Sequence, residues 1–171
     1  VKELVLGGAR SGKSRLAEQR AVESGAEVVY VATATAGDEE MAARIARHRA
    51  DRPDHWGLVE EPVALARVLR QEARPGRCLL VDCLTLWLGN LLGEGEEVLE
   101  RERTAFLEAL ASAPGEVLLV SNEVGQGVVP ADPLSRRFVD EAGRLHQAAA
   151  ERCEQVTLVV AGLPWTLKDE W

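Results

Sequence analysis

The chain has 171 residues, 46% of them apolar, and a net charge of −8. That length suits one domain with a proper core, and the charge disfavours a nucleic-acid partner, whose phosphates need a surplus of Lys and Arg. No apolar run approaches the roughly 18 residues of a membrane-spanning helix. No basic-then-apolar signal segment stands at the start, and numbering from Val1 implies an initiator Met removed or left out. Cys78, Cys83 and Cys153 show no metal spacing and cannot all pair, which suits a reducing cytoplasm.

In chain order, Leu4, Val5 and Leu6 form a short apolar run ending in Gly7 and Gly8, the pattern of a buried strand entering a turn. Residues 13–24 read as a helix, with Leu16, Ala17, Arg20 and Ala21 at helical spacing and Gly25 as its stop. Residues 28–32 are β-branched and apolar, a second buried strand. Asp38 is placed to cap a helix over 39–49, which Arg52 and Pro53 end. Pro62 suits the first position of another helix, reaching about residue 73. A third buried strand covers 78–82 and finishes on Asp82. Helical patterns follow over 84–92 and 96–113. A fourth strand spans 117–120 and exits through Ser121, Asn122 and Glu123. Gly and Pro punctuate 125–133, a helix is predicted over 134–153, and a fifth strand over 156–161.

Apolar strands alternating with helices predict an α/β fold, a mostly parallel sheet covered by helices on both faces. No repeat, low-complexity segment or linker divides residues 1–171, so a single domain is expected. Ligands of such sheets bind at the C-terminal ends of the strands. The polar residues gather there: the loop after the first strand, Ala32 and Thr33 after the second, Asp82 after the third, Asn122 and Glu123 after the fourth.

Gly7, Gly8, Ala9, Arg10, Ser11, Gly12, Lys13 and Ser14 match the phosphate-binding pattern G-x-x-x-x-G-K-[ST] without a departure. Glycines let the backbone wrap a phosphate and turn several N–H groups inward, and the following helix adds its positive end. Lys13 is expected to reach the β- and γ-phosphates, and the Ser14 hydroxyl to bind Mg²⁺. Asp82, an acid at a strand end, fits the second metal contact. A chance Gly-rich turn would lack the strand before and the helix after. A P-loop nucleotide-binding fold of RecA-like type follows, with phosphoryl or nucleotidyl transfer as its chemistry.

A signalling GTPase would carry Asn-Lys-x-Asp after a later strand, and the nearest segment, Ser121 to Val124, lacks the Lys and the Asp. A recombinase or helicase would want a basic face. The run from Asp38 through Met41, Arg44, His48, Arg49, Asp51 and Arg52 to Trp56 is distinctive. With the loop at 7–14 and the stretch from Asn122 to Pro130, it resembles the bifunctional adenosylcobinamide kinase / adenosylcobinamide-phosphate guanylyltransferases of cobalamin assembly. The resemblance spans residues 4–162, with three motifs in the right order.

That resemblance implies two reactions. Adenosylcobinamide takes a phosphoryl group from ATP or GTP on its aminopropanol hydroxyl. A histidine then attacks the α-phosphorus of GTP, releases pyrophosphate, and passes GMP to adenosylcobinamide phosphate. The guanylylated histidine falls on His48. Neutral imidazole is a good nucleophile near pH 7 and its phosphoramidate is reactive. The resemblance places further nucleotide contacts on Ala32, Thr33 and Ala34, on Arg49, Ala50, Asp51 and Arg52, and on Glu60 and Asp82. It also implies a homo-oligomer, a trimer. Asn122 and Glu123 are candidates for the cobinamide side or for support of the metal, though a plain turn would account for them equally.

Other readings of the same residues stand beside these. Met41, Ile45 and His48 share a helical face, so packing alone would account for His48. His55 is the rival nucleophile, with half-burial beside Trp56 as its simpler explanation, and His146 reads as a surface residue. Glu60, next to Glu61 and before Pro62, fits a helix cap as well as a ligand contact. Trp87, Trp165 and Trp171 receive no role. Gly37 and Pro53 flank the His48 helix, which is expected to move toward the P-loop when GTP binds. A small-molecule kinase without guanylylation and a nucleotide-dependent binding protein remain the alternatives.

Overall fold

The computed structural model describes residues 1–35 and 39–170, and within residues 39–51 it leaves the side chains of 41, 44, 47, 48, 49 and 51 undescribed. The elements run β1 (Lys2–Gly7), α1 (Lys13–Glu23), β2 (Glu27–Ala32), α2 (Glu39–Asp51), β3 (Gly57–Glu60), α3 (Leu65–Glu72), β4 (Arg77–Asp82), α4 (Leu84–Glu94), α5 (Glu96–Ser112), β5 (Glu116–Asn122), α6 (Pro133–Arg152), β6 (Gln155–Val160) and β7 (Leu163–Asp169). Among the described residues the sheet has the order β3-β2-β4-β5-β1-β6-β7. Every pairing is parallel except that of β7 with β6.

Alternation along the strands sends side chains to two different cores. Leu4, Val29, Leu79, Val81, Val117 and Leu119 pack under α3, α4, α5 and α6 with Trp87 and Phe106. Val5, Val28, Tyr30, Cys78, Leu80, Leu118 and Val120 face α1 through Ala17 and Ala21. The helices therefore cover both faces, as the apolar strands predict. The three cysteines are free and buried.

Two strands escape the pattern-based reading. β3 is only four residues long and lies on the sheet edge, with Leu58 43% exposed, so no buried run announces it. β7 is joined to β6 by Ala161 and Gly162, with φ of 52° and 77°. Positive φ at both positions is what a two-residue type I′ hairpin requires, but Ala-Gly is a weak signal for it. Pro164 is tolerated because β7 is an edge strand.

One boundary also moves. α3 begins at Leu65 rather than Pro62. The Glu61 carboxylate accepts the Val63 and Ala64 amides at 3.1 and 3.0 Å, closing a turn there. The carbonyls of Pro62 and Val63 are taken by Asn90 Nδ2 and Trp87 Nε1 of α4, at 3.0 and 2.7 Å. A helix starting at Pro62 would need those carbonyls for itself.

Candidate active site

The loop between β1 and α1 closes tightly. A Cβ on Gly7 would sit 2.3 Å from Ser11 Oγ and 3.0 Å from the Val159 carbonyl, so only glycine fits. Gly12 caps α1 with φ 98° and ψ 9°, a left-handed conformation. Neighbouring strands hold the loop from both sides. The Glu123 amide donates to the Gly7 carbonyl at 2.9 Å, and the Gly162 amide to the Ser11 carbonyl at 2.8 Å. α1 has no side-chain cap and no acid in its first turn, which leaves its N–H groups free to receive an anion. Ser11 Oγ is buried at the heart of the loop and has no hydrogen-bond partner among the described residues. Lys13 Nζ folds over the loop and donates to the Gly8 carbonyl at 3.1 Å. Ser14 is half-buried beside it, while Ala9 and Arg10 are exposed.

Asp82 ends β4, in register with Ala32 of β2. It follows Cys78 and Leu80 by two-residue steps, which places it on the α1 face of the sheet. Its Oδ2 accepts a hydrogen bond from Tyr30 Oη at 2.7 Å. Burial, then the Asp82 charge and the hydrogen bond to it, push the Tyr30 phenol above its ordinary range, with Arg52 opposing, so the hydroxyl stays a donor. The Arg52 guanidinium lies over the Tyr30 ring, 3.8 Å from its centroid.

Thr33 braces this corner. It is fully buried; its Oγ1 donates to the Cys83 carbonyl at 2.8 Å and accepts the Cys83 amide at 3.0 Å. Its carbonyl accepts Asn90 Nδ2 at 2.9 Å. Ala32 and Ala34 flank it, half-buried. Glu60 ends β3, exposed and in register with Ala32. The turn into α3 is made by Glu61, not Glu60. Burial pushes the Glu61 carboxyl up, but the Ala64 and Val63 amides and Arg67 outweigh it and hold it below the usual range.

α2 carries Ala50, which is exposed. The His48, Arg49 and Asp51 side chains lie outside the described residues, as do Gly37, Asp38 and Trp171 entirely. His55 is exposed rather than half-buried, because Trp56 alone turns toward the α1-side core. His146 is a clear correction to the surface reading: it is 8% exposed, with Nε2 2.6 Å from Ser121 Oγ. Burial holds its pKa below the ordinary value, and Glu123 opposes that. Trp87 is a core residue and Trp165 an exposed one.

Beyond β5, the Glu123 carboxylate accepts the Gly125 amide at 2.7 Å, and the Asn122 amide donates to Thr85 Oγ1 at 3.4 Å. A cleft of about 150 Å³ follows, lined among others by Val124, Val129, Pro130, Arg136 and Val139. Val128 and Val129 of its lining are 96% and 77% exposed. Sequence reasoning missed Tyr30 and Asn90. The signal for Tyr30 was there: a phenol inside an apolar strand needs a buried partner.

Residues 3–167 match the family model described as cobinamide kinase / cobinamide phosphate guanyltransferase. The chain belongs to this family. It is 65% identical over 171 residues to the bifunctional adenosylcobalamin biosynthesis protein CobP of Pseudomonas aeruginosa, covering 99% of each chain. It is 39% identical over 179 residues to the bifunctional adenosylcobalamin biosynthesis protein CobU of Escherichia coli, covering 96% of this chain and 98% of that one. Among solved structures, the RadB recombinase matches with a TM-score of 0.55 at 20% identity, over 92% of this chain and 73% of that chain. The flagellar accessory protein FlaH of Methanocaldococcus jannaschii matches with a TM-score of 0.56 at 13% identity, over 99% and 78%. These two likenesses establish the fold, RecA-like and P-loop. Kinase and guanyltransferase chemistry within the cobinamide kinase family draws on nucleoside triphosphates. No described helix is long and apolar enough to cross a membrane.

Proposed function

We propose that this chain phosphorylates adenosylcobinamide from ATP or GTP and then transfers GMP from GTP, through guanylylated His48, to give adenosylcobinamide-GDP. The observation that carries this reading is a complete P-loop and a strand-end carboxylate on the same face of the sheet, in a chain matched to the family over residues 3–167. Residues 1–171 act as one catalytic domain, in the cytoplasm and as a homotrimer, without nucleic acid.

The triphosphate sits in the loop formed by Gly7, Gly8, Ala9, Arg10, Ser11, Gly12, Lys13 and Ser14. Lys13 exchanges its bond to the Gly8 carbonyl for phosphate oxygens, and the free N–H groups of α1 take the anionic charge. Ala32, Thr33, Ala34, Glu60 and the segment Arg49, Ala50, Asp51 and Arg52 border the nucleotide, the arginines pairing with phosphate charge. The donor set suits Mg²⁺. Ser14 and Asp82 offer hard oxygen atoms, and no group of three or more His, Cys, Asp or Glu among the described residues makes a dedicated metal cage. A magnesium ion is commonly held by one or two carboxylates plus substrate phosphates. Ser14 and Asp82 would hold it, and when bound it neutralises developing phosphate charge.

In the kinase step the cobinamide hydroxyl forms a bond to the γ-phosphorus and the nucleoside diphosphate leaves. In the second step neutral His48 forms a bond to the α-phosphorus of GTP and pyrophosphate leaves. The phosphate of cobinamide phosphate then attacks the same phosphorus and frees the imidazole. Asn122 and Glu123, at the exit of β5 next to the loop, border the acceptor.

The test uses GTP labelled at the α-phosphorus, with Mg²⁺. The wild type is expected to take up a label that resists alkali and breaks in acid, and His48→Ala to take up none. A wild type that phosphorylates adenosylcobinamide but takes up no label would leave the kinase half alone.

A further inference from the structure

Tyr30 is 4% exposed in the middle of an apolar strand, yet both its polar atom and its ring face are engaged at the site. Its hydroxyl donates to Asp82 Oδ2 at 2.7 Å, so one oxygen of that carboxylate is held by the strand beside it. Its ring carries the Arg52 guanidinium at 3.8 Å, within the range of a cation–π contact. Arg52 directly follows α2, whose last residue is Asp51. One buried side chain thus touches the carboxylate assigned to the metal and the anchoring point of the helix that bears His48.

We propose that Tyr30 is a positioning residue that couples the phosphate site to the guanylylated helix: its hydroxyl orients Asp82, and its ring seats Arg52 and with it the C-terminal end of α2. The proposal rests on the assignment of Asp82 to the cation and of His48 to the GMP adduct. Two separate jobs on one residue make it testable. A purely space-filling tyrosine would tolerate phenylalanine, which keeps the ring and the volume. A positioning tyrosine would not, because the carboxylate loses the phenol hydrogen bond while packing stays intact.

The experiment compares the wild type with Tyr30→Phe, Tyr30→Leu and Arg52→Gln. Mn²⁺ affinity is read by electron paramagnetic resonance with a non-hydrolysable GTP analogue. Covalent GMP is read in a single turnover across metal concentrations, and melting temperature is followed throughout. Tyr30→Phe is expected to weaken Mn²⁺ binding about tenfold, the scale of one charge-assisted hydrogen bond. Its labelling rate should recover at saturating metal. Tyr30→Leu should show the same metal defect plus a further loss of about fivefold in labelling that metal does not restore, the scale of a solvent-accessible cation–π contact. Arg52→Gln, which leaves the buried ring in place, should lose at least that much, since Arg52 also pairs with phosphate charge. Wild-type Mn²⁺ affinity in Tyr30→Phe overturns the hydroxyl's role. Labelling of Tyr30→Leu and Arg52→Gln at the Tyr30→Phe rate, with metal saturating, overturns the ring's role. Absence of label from the wild type itself would instead strike the assignment of His48, and the Mn²⁺ comparison would still decide the part played by the hydroxyl.

Discussion

On the face covered by α3, α4, α5 and α6, the sheet meets leucines, Trp87 and Phe106, whose rings lie 4.9 Å apart. On the face covered by α1 it meets Ala17 and Ala21, small side chains that let the helix lie close to the strands. The first face holds more of the buried apolar side chains. The second holds Tyr30, Cys83 and the Asp82 carboxylate, under a helix whose free end opens on the phosphate loop. Bulk on one side secures the sheet, and small side chains on the other leave the helix N-terminus and a strand-end acid on one face. Stability and chemistry are thereby separable by substitution.

The sharpest way to break that contrast lies on the bulky side. Trp87→Ala removes a fully buried ring and takes the indole N–H from the Val63 carbonyl, which keeps the Leu65 amide. It is expected to cost about 3–5 kcal/mol in urea unfolding, with labelling per folded molecule unchanged. Lys13→Ala is the converse. It should slow both phosphoryl and GMP transfer about 10²–10³-fold, as the loss of a preorganised charge at the reacting phosphates does. Its melting temperature should stay near the wild type, since the ammonium bonds only a loop carbonyl here. Trp87→Ala that lost activity per folded molecule, or Lys13→Ala that melted early, would merge the two faces into one function.

The smallest effect probes an exception to the contrast, the polar pair Ser121 and His146 beneath the bulky face. Burial disfavours the imidazolium, so the folded pKa lies below the unfolded value near 6.5. The unfolded chain then binds more protons as pH falls past that value, and stability that is complete above it declines below. The wild type should melt progressively earlier on acidification below pH 6.5. His146→Gln, which keeps a hydrogen-bonding group for Ser121, should flatten that decline relative to the wild type. Parallel pH profiles would remove the titration from the account.

The sequence was legible where one residue type answers one physical demand. Gly7 and Gly12 sit where a Cβ or an ordinary φ is excluded, and Lys13 follows at the spacing phosphate needs. The five long parallel strands were legible because they are apolar on both sides. β3 and β7 were not, because an edge strand with one wet face loses that pattern. His146 was misread because a helical histidine looks the same in sequence whether it faces water or Ser121. Tyr30 was overlooked since its two partners, Asp82 and Arg52, lie 52 and 22 positions away and meet it only in the folded chain. The part given to His48 came from family resemblance, and its side chain lies outside the described residues.

The amides of Glu123 and Gly162 join the phosphate loop to the cooperative unit of the sheet. Each sits just past a central strand, β5 or β6, and each ends on a carbonyl of the phosphate loop. The loop therefore opens only by breaking bonds that belong to the interior of the sheet. Segments tied in this way exchange their hydrogens with the cooperative unit they join rather than with the surface loops. The nucleotide cradle inherits the persistence of the whole sheet, although it is made of glycines that would otherwise give it none.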